Sequence, residues 1–520
     1  MRWFQVLSCL SLFHVAEAKA SEPESIASGT VARFAIVIGK NEPEDPEQAT
    51  LRYADDDAIS MHELFEEAGA RSLLLVSPDQ DTASLRGVGH TQKPTLNAVL
   101  DAFHSLSKEI QAAKDLGKRT ELFLFYSGHG DISDGEGFVV LDGARLTREV
   151  LLEKIIARSP ADANHVIIDA CKSYFVVFDK GPGGERQTFY GSFAASASGK
   201  NLDRTGFVLS ASSLEDSHEW EGYQAGIFSY EVQSALRGGA DANLDGRITY
   251  GELGAFVTTA NRGIINPTLR PNFLISPPGK VPKNLSEPLL QWESSLGSLT
   301  VDASASEHYY VETLSGIRIA DVHPKSEQQL SLHLPKSRPL FVRRADQLAE
   351  GVLTTVEPMR LSALAMKPAT VGRKGALSVA FESLFCTPFS IEAVTAYDTL
   401  YAEKAARLPA PSADHLGPIR TALFGVSVGA LVLGGTMSIM ALTVRNDARQ
   451  STQPEIPSLN RKIERYDTAA IALYSIAAAS GISWLTLKLL SSKREHREVT
   501  LFPLVSPTDL SLRLAGSWGN

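Results

Sequence analysis

The chain has 520 residues, with 50 basic and 60 acidic side chains and a formal net charge of −10 at pH 7; that length allows about three domains, each able to bury its own core. Apolar residues make up 43% and charged residues 21%, which excludes a disordered chain. The mild acidity and the lack of a long Lys/Arg run argue against nucleic acid as the main partner, and cysteines at Cys9, Cys171 and Cys386 alone exclude a disulfide scaffold.

The N-terminus carries Arg2, an apolar stretch from Trp3 to Val15, and small residues at Ala16, Ala18 and Ala20. This predicts a secretory signal over residues 1–20, since the apolar stretch is too short to cross a bilayer. Export would leave Cys171 and Cys386 as thiols in an oxidising compartment unless they pair, which invites a chemical role for one of them.

From residue 31 to about 280 the chain alternates apolar strands with helical patterns. Strands are predicted at Phe34–Ile38, Ser72–Val76, Leu122–Tyr126, His165–Ile168 and Gly206–Leu209. Helices are predicted at Ala54–Ala68 and Thr95–Ala113, the second capped by Thr95. Short, continuously apolar strands between helices predict an α/β domain with a parallel-rich sheet covered on both faces. Functional groups then collect beyond the carboxyl ends of the strands.

Within this region, Asp241 to Glu252 reads D-A-N-L-D-G-R-I-T-Y-G-E. That is the spacing of an EF-hand calcium loop: Asp241, Asn243 and Asp245 at positions 1, 3 and 5, Gly246 at 6, the Arg247 carbonyl at 7, Thr249 at 9 and a bidentate Glu252 at 12. The flanking helices would be Gly226–Leu236 and Tyr250–Ala260, and Ca2+ would brace the domain.

Residues 283–370 alternate apolar and polar positions between Pro and Gly, which predicts a small β-sandwich-like domain. Residues 371–416 read as a helical linker. Thr421–Val444 and Thr468–Leu487 are uncharged and reach the roughly 20 residues needed to span a membrane, so residues 417–490 are predicted to form a transmembrane helical hairpin, with a tail over 491–520. Arg445, Arg449, Arg461, Lys462 and Arg465 in its turn favour a cytoplasmic loop with both ends outside, although Lys488, Lys493, Arg494 and Arg497 weaken that bias. No ionisable residue of the kind that marks an ion pathway lies in either span.

Two strand ends carry the chemistry. One is Tyr126-Ser127-Gly128-His129-Gly130; the other is Ile168-Asp169-Ala170-Cys171. Singly, a cysteine at a strand end reads as a small core residue and a histidine beside glycine as a loop side chain. Together, on one edge of a parallel sheet, they can approach within hydrogen-bonding reach. A thiol needs a base to become a thiolate, and histidine serves as that base and later as the acid. The flanking glycines let backbone N–H groups approach a substrate closely.

These residues resemble the caspase-like cysteine peptidases, and in particular their bacterial metacaspase-like branch. The resemblance rests on Tyr126 to Gly130, on Asp169-Ala170-Cys171, on Leu51 to Ala58 opening the first helix, and on Ala225 to Tyr230 leading into a later one. It spans roughly residues 31–275. It implies His129 as general base and acid, Cys171 as nucleophile, and the backbone N–H groups of Gly130 and Cys171 as the oxyanion site. It also implies that Asp57, Ser127 and Asp169 line an acidic primary pocket that takes Arg or Lys, and that Lys180 or Arg186, in the Gly-rich loop after Cys171, can be cut during maturation. Where metacaspases usually continue His-Ser-Gly after the cysteine, this chain has Lys172-Ser173-Tyr174-Phe175, bulky residues that would reshape the pocket.

The function expected from the sequence is therefore an exported, membrane-tethered cysteine endopeptidase, facing the periplasm or the cell exterior and cutting protein or peptide substrates after basic residues. The alternative is a catalytically inactive caspase-like module, acting as a calcium-stabilised binding or scaffold protein at the membrane.

Overall fold

The structure is a computed structural model and describes residues 31–515, except 88–90, 134–135, 171–200, 211–218, 221–223, 265–269, 272, 280–282, 347–348, 369–382, 408–416, 451–455, 495–499 and 504–511. The expected signal segment, Cys171, Lys180 and Arg186 lie outside the described residues.

The first domain runs β1 (Ala32–Lys40), α1 (Ala54–Glu67), β2 (Ala70–Val76), α2 (Gln80–Arg86), α3 (Leu96–Asp115), β3 (Thr120–Gly128), β4 (Gly130–Ser133), β5 (Glu136–Leu141), β6 (Ala144–Thr147) and β7 (Ala163–Asp169). It continues with β8 (Thr205–Ser210), β9 (Glu219–Trp220), β10 (Ala225–Gly226), α4 (Ile227–Ser234), β11 (Arg247–Thr249), α5 (Tyr250–Ala260) and β12 (Phe273–Ser276). Six of these strands form the main sheet in the order β12-β8-β7-β3-β1-β2.

The strands from β8 to β2 in that order are parallel, as the apolar runs predict. β12 pairs antiparallel with β8, so the sheet is mixed. This edge strand is four residues long with a half-buried start, too short to show a period in the sequence. β3 is buried along its whole length. Its alternate side chains feed two cores, as strand geometry requires. Phe123 and Phe125 point to the α1, α4 and α5 side, while Leu122, Leu124 and Tyr126 meet Val99, Phe103 and Leu106 of α3. Thr95 caps α3 as expected, its side chain accepting from Ala98 N at 3.1 Å.

Beyond the main sheet, β4, β5 and β6 form an antiparallel sheet starting one residue after His129. The sequence reading missed this element.

The following region contains β13 (Pro288–Gln291), β14 (Leu299–Val301), β15 (Tyr309–Thr313), β16 (Arg318–Val322), β17 (Leu330–Leu332), β18 (Leu340–Arg344), β19 (Ala349–Leu353), β20 (Met359–Arg360) and β21 (Lys367–Pro368). A three-stranded sheet, β17-β14-β20, and a five-stranded sheet, β16-β15-β18-β19-β21, share a core of residues that includes Val301, Val311, Ile319, Leu332 and Val342. β13 instead leaves this unit and pairs with β11, setting Ile248 against Leu290.

The predicted linker contains α6 (Ile391–Arg407). It does not hang free. Phe385, Phe389 and Val394 belong to the core of the first domain, and Tyr397 packs on Gly254 of α5. Two long helices follow, α7 (Gly417–Gln450) and α8 (Ile456–Arg494). They run antiparallel: Phe424 meets Trp484, Ser427 Oγ donates to Ala477 O at 2.9 Å, and Arg445 pairs with Asp467. Both are long and apolar enough to cross a membrane. Their outer faces are apolar and uncovered, with Val432, Ile439, Ile471 and Ile482 each about two-thirds exposed.

The β-domain is docked directly on the first domain. His333 N donates to Arg237 O at 2.7 Å, and Arg237 Nη1 donates to His333 O at 3.1 Å. Gly238 sits between them at φ +105°, and a Cβ there would lie 2.1 Å from Ser331 O. Gly238→Ala is therefore expected to destabilise the chain by about 2 kcal/mol or more, through both backbone strain and a forced separation of the two backbones. Denaturant unfolding of wild type and variant checks this, and equal midpoints would contradict the close approach.

Candidate active site

The site lies at the carboxyl ends of β3 and β7. These neighbours are in register through Tyr126 opposite Ile168 and Ser127 opposite Asp169. His129 follows β3 and is buried. The backbone carbonyl of Asn41, just past β1, lies near the ring and favours its protonated form. Nε2 is buried and has no hydrogen-bond partner among the described residues. Burial lowers the imidazole pKa, opposed by the Asn41 carbonyl and assisted by the nearby Lys40 ammonium. A neutral imidazole with an unpartnered ring nitrogen is a form that can accept a proton.

Tyr126 braces the loop that carries this histidine. Its hydroxyl lies 2.9 Å from His129 O and 2.8 Å from Val140 O. Gly130 begins β4, where it pairs with Val139. Cys171 follows β7 by two residues, outside the described residues.

Asp57, Ser127 and Asp169, far apart in sequence, come together beside this edge. Asp57 is in the first turn of α1 and 1% exposed. Ser127 Oγ donates to Asp57 Oδ2 at 3.0 Å, and Gly226 N donates to the same carboxylate at 3.1 Å. Asp169 Oδ2 accepts from Ser229 N at 3.0 Å and from Ser229 Oγ at 2.7 Å. The start of α4 therefore holds both acids, which suits the positive end of a helix. Gly226 is needed for this approach, because a Cβ there would lie 2.8 Å from Asp57 Oδ2 and 3.1 Å from Asp169 Oδ2.

Another acid, missed by the sequence reading, completes the group. Glu219 of β9 accepts from the N–H groups of Arg52 and Tyr53, at 2.9 to 3.0 Å, just before α1. Burial raises the Asp57 pKa well above the ordinary carboxylate range, and the charges of Asp169 and Glu219 add to the rise. Burial likewise raises Glu219, with Asp169 adding to it. Among the described residues neither Asp57 nor Glu219 forms an ion pair. The carboxylates of this cluster repel one another, and a cationic side chain placed among them would relieve the repulsion. Only the folded arrangement reveals Glu219, since no spacing connects it to Asp57 or Asp169.

The loop at residues 241–252 forms a turn closed by its own side chains. Asp241 Oδ1 accepts from Asp245 N at 3.1 Å and Oδ2 from Gly246 N at 2.9 Å, while Asn243 Oδ1 accepts from Asp245 N at 3.1 Å. Glu252 forms a capping box with Thr249 at the start of α5. Burial moves the Glu252 pKa up to about 7, with Asp241 and Asp245 adding to the rise against the Thr249 hydrogen bonds. Asp245 is turned to the Arg247 guanidinium, 3.0 Å away. Among the described residues, no three Asp, Glu, His or Cys side chains converge at metal-ligand spacing. Coordination at this loop would require Asp245 to leave Arg247 and Glu252 to turn from Thr249.

The acidic cluster sets a signed pH dependence. A carboxyl whose folded pKa is raised stabilises the fold below its unfolded pKa, and that contribution is lost as pH rises through the folded pKa. Asp57→Asn should therefore raise stability at pH 8 by roughly 1–2 kcal/mol and lose that advantage near pH 4. Thermal melts at both pH values measure it. A variant no more stable than wild type at pH 8 would show that the cluster is not under charge strain.

Residues 32–264 match the caspase domain among known protein families. No curated protein matches the chain. Among solved structures, the Drosophila initiator caspase Dronc is similar at 11% identity and a TM-score of 0.30, over 53% of this chain and 93% of that one. A pro-sf-caspase-1 structure is similar at 12% identity and a TM-score of 0.32, over 48% and 89%. Caspase-1 from Spodoptera frugiperda is similar at 11% identity and a TM-score of 0.28, over 49% and 88%. These overlaps are loose, and the assignment rests on the family match. Residues 32–264 form a caspase-like cysteine peptidase domain.

Proposed function

We propose that the chain is a cysteine endopeptidase of the metacaspase-like kind, which hydrolyses peptide bonds after Arg or Lys. The observation that carries this reading is the group of Asp57, Asp169 and Glu219, carboxylates that repel one another on the sheet edge that bears His129. Ser127 and the start of α4 hold the carboxylates where a guanidinium can be bound with charge-assisted hydrogen bonds. A pocket for an acidic side chain would need the opposite charge.

In the proposed reaction His129 Nε2 takes the proton of the Cys171 thiol, and the thiolate attacks the scissile carbonyl carbon. The negative oxygen of the tetrahedral intermediate accepts from the backbone N–H groups of Gly130 and Cys171. His129 then returns its proton to the leaving amine, giving a thioester. Water, deprotonated by His129, attacks the thioester carbon and releases the carboxylate and the thiol. The register of Ser127 against Asp169 supports the pairing of His129 with Cys171, because each lies two residues beyond that matched pair.

The hydropathy of α7 and α8 and their exposed apolar faces support membrane association. With the signal-like N-terminus, they favour an exported, membrane-anchored peptidase on the periplasmic or extracellular face of the envelope. For the loop at 241–252 we propose Ca2+, held by the side chains of Asp241, Asn243, Asp245 and Glu252, with the Arg247 carbonyl and the ninth position at Thr249. Hard oxygen donors at these spacings, and carboxylates that repel one another, suit a divalent cation. It would brace the domain and takes no part in the chemical steps.

Fluorogenic peptides with Arg, Lys or Asp at P1 test the main reading. Cleavage is expected after Arg and Lys, and Cys171→Ala and His129→Ala should each lower it at least about a thousandfold while keeping the fold. Hydrolysis that survives Cys171→Ala, or preferential cleavage after Asp, would sink it. An absence of hydrolysis in wild type would instead favour the inactive binding module.

Isothermal titration of the full chain tests calcium separately. Glu252→Gln is expected to weaken Ca2+ binding about tenfold or more by removing a charged ligand. No heat of binding in wild type would rule out the site.

A further inference from the structure

The β-domain reaches the acidic pocket through one carboxylate. Asp321, on β16, is fully buried and lies against α4. The Tyr230 hydroxyl donates to Asp321 Oδ2. Asp321 N donates to Ser234 Oγ at 3.1 Å. Tyr230 and Ser234 are four residues apart, so they lie on one face of the helix and Asp321 grips it at two points one turn apart. On its other side Asp321 is held within the β-domain, by Arg318 Nη1 at 3.0 Å and His308 Nε2 at 2.5 Å.

The residue before Tyr230 is Ser229, which holds Asp169, and the cap of the same helix is Gly226, which holds Asp57. One short, fully buried helix thus carries the ligands of both pocket acids at its start and the anchor to Asp321 on its next residue. A buried, charge-assisted contact at that position resists sliding or rotation of the helix, because any shift would leave the carboxylate or its partners unpaired.

We propose that Asp321 is a positioning residue of the substrate pocket: by fixing α4 it sets where Asp57 and Asp169 stand. The β-domain is then a component of substrate recognition, needed in place for a basic P1 side chain to bind. The catalytic part of this inference rests on the acidic cluster being the P1 site, whereas its structural part does not.

The test uses the full chain in detergent with Asp321→Asn, Tyr230→Phe and, as control, Asp302→Asn. Asp302 is another β-domain carboxylate, 8% exposed, whose partners are Arg360 and Ser362. Hydrogen exchange of the amides in residues 226–234 should speed up about tenfold or more in Asp321→Asn and Tyr230→Phe, with β1 and β3 unchanged. Asp302→Asn should leave it as in wild type. In the same two variants KM for a P1-Arg peptide should rise about tenfold, with kcat within about twofold.

Unchanged exchange at 226–234 would overturn the proposal, as would an equal effect of Asp302→Asn or a fall in kcat at constant KM. A wild type without peptidase activity would refute the proposed function, and the exchange data would still decide whether Asp321 fixes α4. If Asp321→Asn does not fold, Tyr230→Phe, which deletes one hydroxyl, carries the same comparison.

Discussion

Two carboxylates held close together, one of them fully out of water, are the constraint on which this site depends. Asp57 arrives from α1 and the half-buried Asp169 from the end of β7, and Asp57 is not stable as an isolated buried charge. The N-terminus of α4 makes them tolerable: Gly226 and Ser229 supply N–H donors and Ser229 a hydroxyl, all at the positive end of a helix. The arrangement leaves carboxylates that repel one another. Such repulsion is a cost to stability.

The edge that carries His129 is organised on different terms. His129 is buried, which lowers its pKa, and the group that opposes this is a main-chain carbonyl, that of Asn41, rather than a carboxylate. A neutral acceptor does not strongly raise the basicity of the ring. The acids that lie near in space are bonded to the backbone before α1 and at the start of α4 rather than to the imidazole.

Elements outside the matched domain complete that domain. α6 contributes Val394 and Tyr397 to the first core, β13 pairs with the loop strand β11, and Asp321 grips α4 from β16. The chain is therefore not a peptidase with appended modules, since each downstream region fills a surface the first domain leaves open. The helical hairpin is the exception: over residues 424–442 and 471–485 it exposes large apolar side chains, a surface suited to lipid.

Sequence alone determined the alternation of buried strands and helices, because strands covered on both faces must be continuously apolar and the Thr95 cap is a local signal. It determined the hairpin, since about 20 uncharged residues are a length requirement and need no partner. It also marked His129, Asp57, Ser127 and Asp169, through motifs short enough to be read in one place. The antiparallel β12, the sheet that begins at Gly130 and the docking of α6 escaped it, because each is defined by a distant partner rather than by its own period. Glu219 and Asp321 escaped for the same reason. An acidic residue in a loop or on a strand reads as solvated, and only the tertiary structure buries it against Asp57 or Tyr230 and converts an ordinary surface charge into a constraint on the site.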